Sequence, residues 1–214
     1  MIYKTEFQGN QTLGLFCVTT EDTTYIPTNL KKTQIEKISK TLNTEVIPIT
    51  IYNSFLIGLF SSSNSKYFFV PEIIKEEELK QIKEKIIKIV GVYTTIGNLI
   101  LCNDKGCILS PYLRNKKEYF TKELKLKTEV TTISGLPFPG AFAYVTNKGG
   151  VIHKNCKDEE LEILESILKV KLKVCEFYDG FPGAEILANS NGLIIPKTLR
   201  GQELSEIQEG LKIF

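Results

Sequence analysis

Five cysteines and one histidine are the residues of this chain best suited to chemistry. A thiolate beside an imidazole makes a nucleophile, and thiols or imidazoles at close spacing hold zinc. The sequence spells out neither arrangement. Cys17, Cys102, Cys107, Cys156 and Cys175 are odd in number and fall in no CxxC or Cys/His spacing, so neither a disulfide framework nor a metal centre is indicated and no cofactor is expected. Such a set suits a reducing compartment. His153 is followed by Lys154 and Asn155, which offer it no carboxylate, and it closes a strand-like run. It reads as a strand-end residue, and Cys102 and Cys107 read as packing residues facing each other across a hairpin.

The elements that position these residues come from a chain of 214 residues, 42% of them hydrophobic, enough to bury roughly 70% of the unfolded surface without staples. Lys+Arg 27 against Asp+Glu 25 leaves a net charge of +2, too little for a protein that coats the phosphates of a long nucleic acid. Any RNA contact is expected to be local, and no DNA partner is expected. Residues Met1 to Gln8 mix charged and apolar side chains unlike a signal peptide, and no later run reaches the ~18 apolar residues of a membrane span. The expectation is a cytoplasmic monomer with no membrane partner.

Internal repetition dominates the chain. Five segments run from a small or turn-forming residue through an apolar stretch, a polar tip and a second apolar stretch: Gly14 to Pro27, Gly58 to Pro71, Asn98 to Pro111, Gly140 to His153 and Gly183 to Pro196. Each spans a separation of 13, and successive starts lie 44, 40, 42 and 43 residues apart. Tips rich in Asn, Asp, Ser and Gly between β-branched or aromatic runs predict β-hairpins, with Asn103, Asp104, Asn147 and Asn189 as turn residues. A terminal proline can end a strand but not continue it inside a sheet.

Ile35, Leu79, Leu161 and Leu204 each lie 21 residues after a start and open an apolar i, i+3, i+7 stripe (Ile35/Ile38/Leu42, Leu79/Ile82/Ile86, Leu161/Leu164/Leu168, Leu204/Ile207/Leu211), which predicts a helix after each hairpin. The third copy has Tyr119 at this offset and then Lys122, so its helix is predicted to be short. Thr33…Glu36 and Asn115…Glu118 fit capping boxes. Strand-like runs follow at 45–52, 89–96, 127–133 and 170–177. The fifth copy has none, but Ile2–Phe7 alternates with period two and precedes the first hairpin as the other runs precede theirs. The N-terminus is therefore expected to complete the last unit and close a ring. The predicted fold is α/β (α+β): a single domain, 1–214, of five ββαβ repeats (about 14–53, 58–97, 98–135, 140–179 and 183–214 plus strand 2–7).

At Gly97-Asn98-Leu99-Ile100-Leu101-Cys102-Asn103-Asp104, at Thr146-Asn147-Lys148-Gly149-Gly150-Val151-Ile152-His153 and at Gly201-Gln202-Glu203-Leu204-Ser205-Glu206-Ile207, the chain resembles the translation initiation factor 6 family of archaea and eukaryotes, and the resemblance spans essentially the whole length. It implies the pentein fold, a β/α-propeller about a pseudo-five-fold axis. It also implies a factor in translation initiation and ribosome biogenesis that binds the large ribosomal subunit, through ribosomal proteins and local rRNA, and prevents its premature association with the small one. No reaction or cofactor comes with the resemblance. The additional C-terminal tail of eukaryotic members is missing, which favours the archaeal form. The family often has a basic residue where this chain has Leu59. Penteins also include guanidine-modifying hydrolases with a Cys nucleophile, but cysteine is absent from Gly183 onward, where those enzymes would keep it. That enzyme and a non-ribosomal protein scaffold are the alternatives.

Loops leading into five equivalent starts gather at one end of such an architecture. The candidate ribosome-binding residues are therefore Gly14, Gly58, Leu59, Gly97, Asn98, Phe138, Gly140, Phe181 and Gly183. Leu136, Phe138 and Phe181, on Pro/Gly-rich loops, either anchor a partner or plug the end of the core. Asn98 stands where three other copies start with glycine; it is either a polar contact or a tolerated turn residue. The alternation Lys169/Lys171/Lys173 reads as a solvated face that discourages edge pairing.

Overall fold

Each hairpin and the strand after it form one three-stranded sheet, and the computed structural model, which describes residues 1–176, 178 and 180–214, contains five of them. Strand β1 (Ile2–Thr5) comes first. Repeat one follows with α1 (Leu13–Phe16), β2 (Val18–Thr19), β3 (Thr23–Pro27), α2 (Lys32–Leu42) and β4 (Glu45–Ile49). Repeat two has α3 (Ile57–Phe60), β5 (Ser62–Ser63), β6 (Tyr67–Pro71), α4 (Glu76–Leu79) and β7 (Lys85–Ile89). Repeat three has α5 (Ile96–Leu99), β8 (Ile100–Cys102), β9 (Cys107–Leu109), a 3-10 turn (Pro111–Lys116), α6 (Lys117–Lys122) and β10 (Thr128–Val130). Repeat four has α7 (Pro139–Phe142), β11 (Ala143–Val145), β12 (Gly150–Ile152), α8 (Asp158–Leu168) and β13 (Leu172–Val174). Repeat five has α9 (Pro182–Glu185), β14 (Leu187–Ala188), β15 (Leu193–Pro196) and α10 (Gly201–Leu211). In every sheet the hairpin is antiparallel and the third strand pairs parallel with its second arm. The third strand of the fifth sheet is β1, with Ile2 opposite Leu193 and Thr5 opposite Pro196. The head of the chain thus completes the last repeat, as the alternation of residues 2–7 predicts.

The chain divides into two compact units. One comprises Met1–Gly97, Ala184–Leu199 and Ile213; the other comprises Asn98–Gly183, Arg200–Lys212 and Phe214. Within each, the helix of one repeat covers the sheet of the repeat before it. In the first unit Ile38 and Leu42 of α2 pack with Leu187 and Ile194 of the fifth hairpin. In the second, Leu164, Ile167 and Leu168 of α8 pack with Leu101 and Ile108, and α10 lies on β12 and β13. Each fully buried aliphatic side chain of this kind is worth about 1.5–3 kcal/mol.

Several expectations are corrected. The apolar run after each start does not begin as a strand: its first residues form one helical turn, α1, α3, α5, α7 or α9, and the strand follows. Short apolar runs of this length do not distinguish helix from strand by periodicity. The start glycine is the second residue of every turn, so the third start is Gly97, not Asn98, and the strand-end residue thirteen positions on is Ser110, not Pro111. Ser110 and His153, the two non-proline strand ends, use the backbone N–H that proline lacks, donating to Leu99 O (2.8 Å) and Phe142 O (2.9 Å).

In repeat two the helical stripe through Leu79, Ile82 and Ile86 is not realised. α4 is a single turn and Ile86 lies in β7, so the run at 89–96 is not the third strand. The cause is chain length: 18 residues separate the paired Tyr67 and Lys85, against 22 between Thr23 and Glu45, a loss of about one helical turn. After Leu79 the shortened chain presents Lys83 N to the Tyr25 hydroxyl (2.9 Å), which itself donates to Glu84 (2.5 Å). Neither capping box forms. α2 starts one residue before Thr33, with Gln34 accepting from Lys31 N, and Asn115 lies inside the 3-10 turn, which Ser110 caps. The helix of repeat three is short, as predicted. The fourth strand run keeps only Leu172–Val174, and its last residue, Phe177, lies outside the described residues.

Candidate functional site

The start turns explain their glycines. A Cβ on Gly58 would lie 1.9 Å from the Gly14 carbonyl oxygen, and one on Gly97 would lie 1.7 Å from that of Gly58. In the second unit a Cβ on Gly183 would lie 1.7 Å from the Gly140 oxygen. The turns are thus stacked backbone against backbone, and only a residue without a side chain fits between them. This places Gly14, Gly58 and Gly97 side by side in the first unit, and Gly140 and Gly183 in the second.

The corrected register also relates two candidates that the sequence treats separately. Leu59 and Asn98 occupy the same repeat position, one residue after the glycine, where the other copies have Leu15, Ala141 and Ala184. Both are half-buried. Of the apolar candidates, Leu136 is 44% exposed and Phe181 46% exposed, whereas Phe138 packs on the core beside Tyr112. Phe181 is part packed and part open: one face stacks on His153 (6.0 Å, 15°) and its edge meets Phe142 (5.2 Å, 78°) while nearly half its surface stays open.

Tight turns lead into the starts. Phe7/Asn10, Ile51/Ser54 and Ile133/Leu136 exchange reciprocal backbone hydrogen bonds of 2.9–3.1 Å around two left-handed residues: Gln8-Gly9, Tyr52-Asn53 and Ser134-Gly135. The main helix of the repeat that each turn leads into holds the turn or the residue just before it. Glu78 accepts from Tyr52 N (3.1 Å) and Asn53 N (2.8 Å), and Glu160 from Ser134 N (2.8 Å), Gly135 N (3.0 Å) and Thr132 Oγ1 (2.6 Å). Gln34 Nε2 donates to Glu6 O (3.0 Å). Two consecutive non-glycine residues at positive φ, Tyr52 and Asn53, are strained, and the Glu78 carboxylate holds them there. These turns and loops carry exposed Tyr52, Phe55, Val92 and Tyr93, apolar surface that the sequence reading passed over. Their position in the repeat, equivalent to 134–138, was the available signal.

The tips sit at the other end of the hairpins. Asn103 Oδ1 accepts from Lys105 N and Gly106 N (both 3.0 Å), and Asn189 Oδ1 from Asn191 N (2.9 Å) and Gly192 N (3.2 Å), as turn residues do. Their amides donate onward to helix-end carbonyls, Leu168 O and Leu42 O, both at 2.9 Å. Asn147 and Asp104 bond to each other instead (3.0 and 2.5 Å), joining two tips. The lysine alternation is largely neutralised: Lys171 meets Glu165 (2.5 Å), Lys173 meets Glu209 (3.1 Å), and Lys169 ends α8 in the left-handed conformation.

His153 is buried at a strand end, its Nδ1 accepting from Asn155 N (3.3 Å) with Ser134 Oγ 3.4 Å away. Cys102 and Cys107 face each other across β8 and β9, both buried. Burial holds the Cys17 and Cys107 thiols well above the usual range. Burial, reinforced by Glu160 and Asp158, pushes Cys156 up to about 12, and burial with Glu206 does the same for Cys175. Thiols so protonated at neutral pH are poor nucleophiles. Among the described residues no group of three or more His, Cys, Asp or Glu is placed to hold a metal, and no helix is long and apolar enough to cross a membrane.

Residues 2–210 match the model of the eIF-6 family. A Methanocaldococcus jannaschii protein named translation initiation factor 6 is 36% identical over 100% of this chain and 99% of its own length. Proteins of the same name from Pyrococcus horikoshii (32%, covering 98% of each chain) and Staphylothermus marinus (30%, covering 95% and 94%) are also similar. With the five repeated sheets, the strand that completes the last of them and relatives matched from end to end, the chain belongs to the eIF-6 family.

Proposed function

We propose that this protein is a cytoplasmic translation initiation factor that binds the large ribosomal subunit and prevents its premature association with the small one, as a docking body without catalytic activity. The observation that carries the reading is the family match over residues 2–210, with relatives named translation initiation factor 6 along the whole chain. The start turns of each unit are the proposed docking residues: Gly14, Gly58, Leu59 and Gly97 in the first, and Asn98, Phe138, Gly140, Phe181 and Gly183 in the second. Their support is physical. Turns locked by glycine-to-carbonyl contact lose little conformational entropy on docking, and Leu136 and Phe181 offer exposed apolar area next to them. The high thiol pKa values and the surroundings of His153 count against guanidine hydrolysis, which needs a thiolate within reach of its base.

Co-sedimentation with purified large and small subunits tests the reading. The protein should pellet with large subunits only and reduce subunit joining; pelleting with neither, or release of ammonia or citrulline from arginine-like substrates, would refute it. Asn98→Arg should weaken large-subunit binding and leave the thermal midpoint nearly unchanged, and unaltered binding would remove Asn98 from the surface.

A further inference from the structure

The repeats distribute positive charge unevenly along the chain, and the structure brings much of it to one edge of the second unit. Three positions recur as lysine in repeats three and four: the hairpin tip (Lys105, Lys148), the left-handed helix end (Lys125, Lys169) and the residue before the third strand (Lys127, Lys171). At the equivalent positions repeat one has Asp22, Asn43 and Glu45, the last opening β4, and repeat two has lysine at the first and third only, Lys66 and Lys85. The helix end is the telling one. φ near +55° is costly for lysine, and glycine or asparagine would fit it more cheaply, yet Lys125, Lys169 and Lys212 all stand there, against Asn43 in repeat one.

Five of these side chains in repeats three to five, all but Lys125 and Lys127, border an open groove of about 650 Å³. Lys105 and Lys148 line it from the tips, Lys169 and Lys212 from the helix ends and Lys171 from the entry to β13, against two acids of α8, Glu162 and Glu165. Glu165 is occupied by Lys171 and the Leu172 backbone N–H (2.9 Å). Part of this charge has a local role: Lys105 Nζ donates to Asn147 O of the neighbouring tip (2.8 Å), and Lys127 Nζ donates to Ser166 O (3.0 Å), offsetting the negative end of α8. That role does not require cations at the helix ends as well. The lysines crowd one another: the Lys127 ammonium is held below its ordinary range first by desolvation and then by Lys169.

We propose that this groove binds phosphate groups of an RNA backbone, as a contact separate from the Gly140 start turn of the same unit, which lies at the opposite end of the β11 and β12 strands. The choice of RNA over another polyanion rests on the ribosomal reading above, because the particle that such a factor meets is built of RNA. Lysine without a planar partner reads phosphate as a point charge and not sequence, so binding should be sequence-tolerant and strongly dependent on salt.

The test uses the full chain and a fluorescein-labelled twelve-nucleotide oligouridine, followed by anisotropy over a salt series. Lys169→Asn/Lys212→Asn keeps residues that tolerate the left-handed conformation while removing two charges from the groove. It should weaken binding about tenfold and reduce the salt slope by about 1.4, two contacts at about 0.7 each. Lys32→Gln/Lys40→Gln, the same charge change on α2, should leave both unchanged. Asn98→Arg should weaken large-subunit pelleting yet keep oligonucleotide binding, so failure of the subunit reading is visible separately. No binding by the wild type, equal loss in both double variants, or competition by polyglutamate as effective as by unlabelled RNA would each overturn the proposal.

Discussion

Burial alone would raise the pKa of Glu160, yet its carboxyl sits below the ordinary range because Thr132 Oγ1 and the backbone N–H groups of Gly135, Lys157 and Ser134 all donate to it. A carboxyl depressed in the folded state stabilises that state above its unfolded pKa, and the contribution is lost as pH falls through the folded value. Glu160→Gln keeps the shape but brings an NH2 group towards donors and removes the charge. At about pH 7 it should cost about 1.5–3 kcal/mol, the range for hydrogen bonds to a charged group. Urea midpoints of wild type and variant should converge as pH falls below the ordinary carboxylate range, where the wild-type carboxyl takes up its proton. A gap that persists undiminished however far the pH falls below that range would mean that shape, and not charge, is what Glu160 contributes to the turn at Ser134-Gly135.

At the scale of the element, the start turns make a test of register. In an ordinary helical turn, exchanging glycine for alanine stabilises by up to about 1 kcal/mol. At Gly97 the sign should reverse, because the new methyl would meet the Gly58 oxygen at 1.7 Å and the Ser61 oxygen at 2.9 Å. Backbone cannot move aside as a flexible side chain can, so Gly97→Ala should lower stability by about 3 kcal/mol or more, at or above the top of the usual overpacking range. A thermal midpoint unchanged or raised would show that the turns are not stacked this way. The sequence could not settle this register, since Gly97 to Ser110 and Asn98 to Pro111 are both thirteen residues apart and a proline end is the more visible mark. What was legible had a period: the hairpins, the helices of repeats one, four and five, and the completing strand at residues 2–5. What was not legible depended on contacts between copies, such as the carbonyl that makes a start glycine obligatory, or on a local deletion, such as the turn missing from α4. The candidate site divides the same way. Its positions followed from repeat equivalence, whereas the division of Phe181 between open surface and His153 needed coordinates.

For the molecule as a whole, neither compact unit is a continuous stretch of chain. The first contains β1 with the fifth hairpin, and the second contains α10 of the same repeat. Removing residues 184–214 would therefore damage each unit independently. In the first, β1 would lose the β15 backbone to which all four of its residues pair, and Ile38 and Leu42 of α2 would lose Leu187 and Ile194. In the second, α10 would no longer cover β12 and β13, leaving uncovered the strand surface on which Gly210 packs against Val151 and Gly150. Uncovering several side chains worth about 1.5–3 kcal/mol each exceeds the whole stability of a typical domain, about 5–15 kcal/mol. A chain ending at residue 183 should therefore show no cooperative thermal transition, and its amides at residues 2–5 should exchange with solvent as fast as unstructured peptide. Adding residues 184–214 as a separate peptide should restore protection at residues 2–5, since β15 supplies their partners through backbone groups alone. If the shortened chain melts cooperatively with residues 2–5 protected, then the N-terminal strand has another partner, and completion of the fifth sheet is not what holds the two ends of the chain in place.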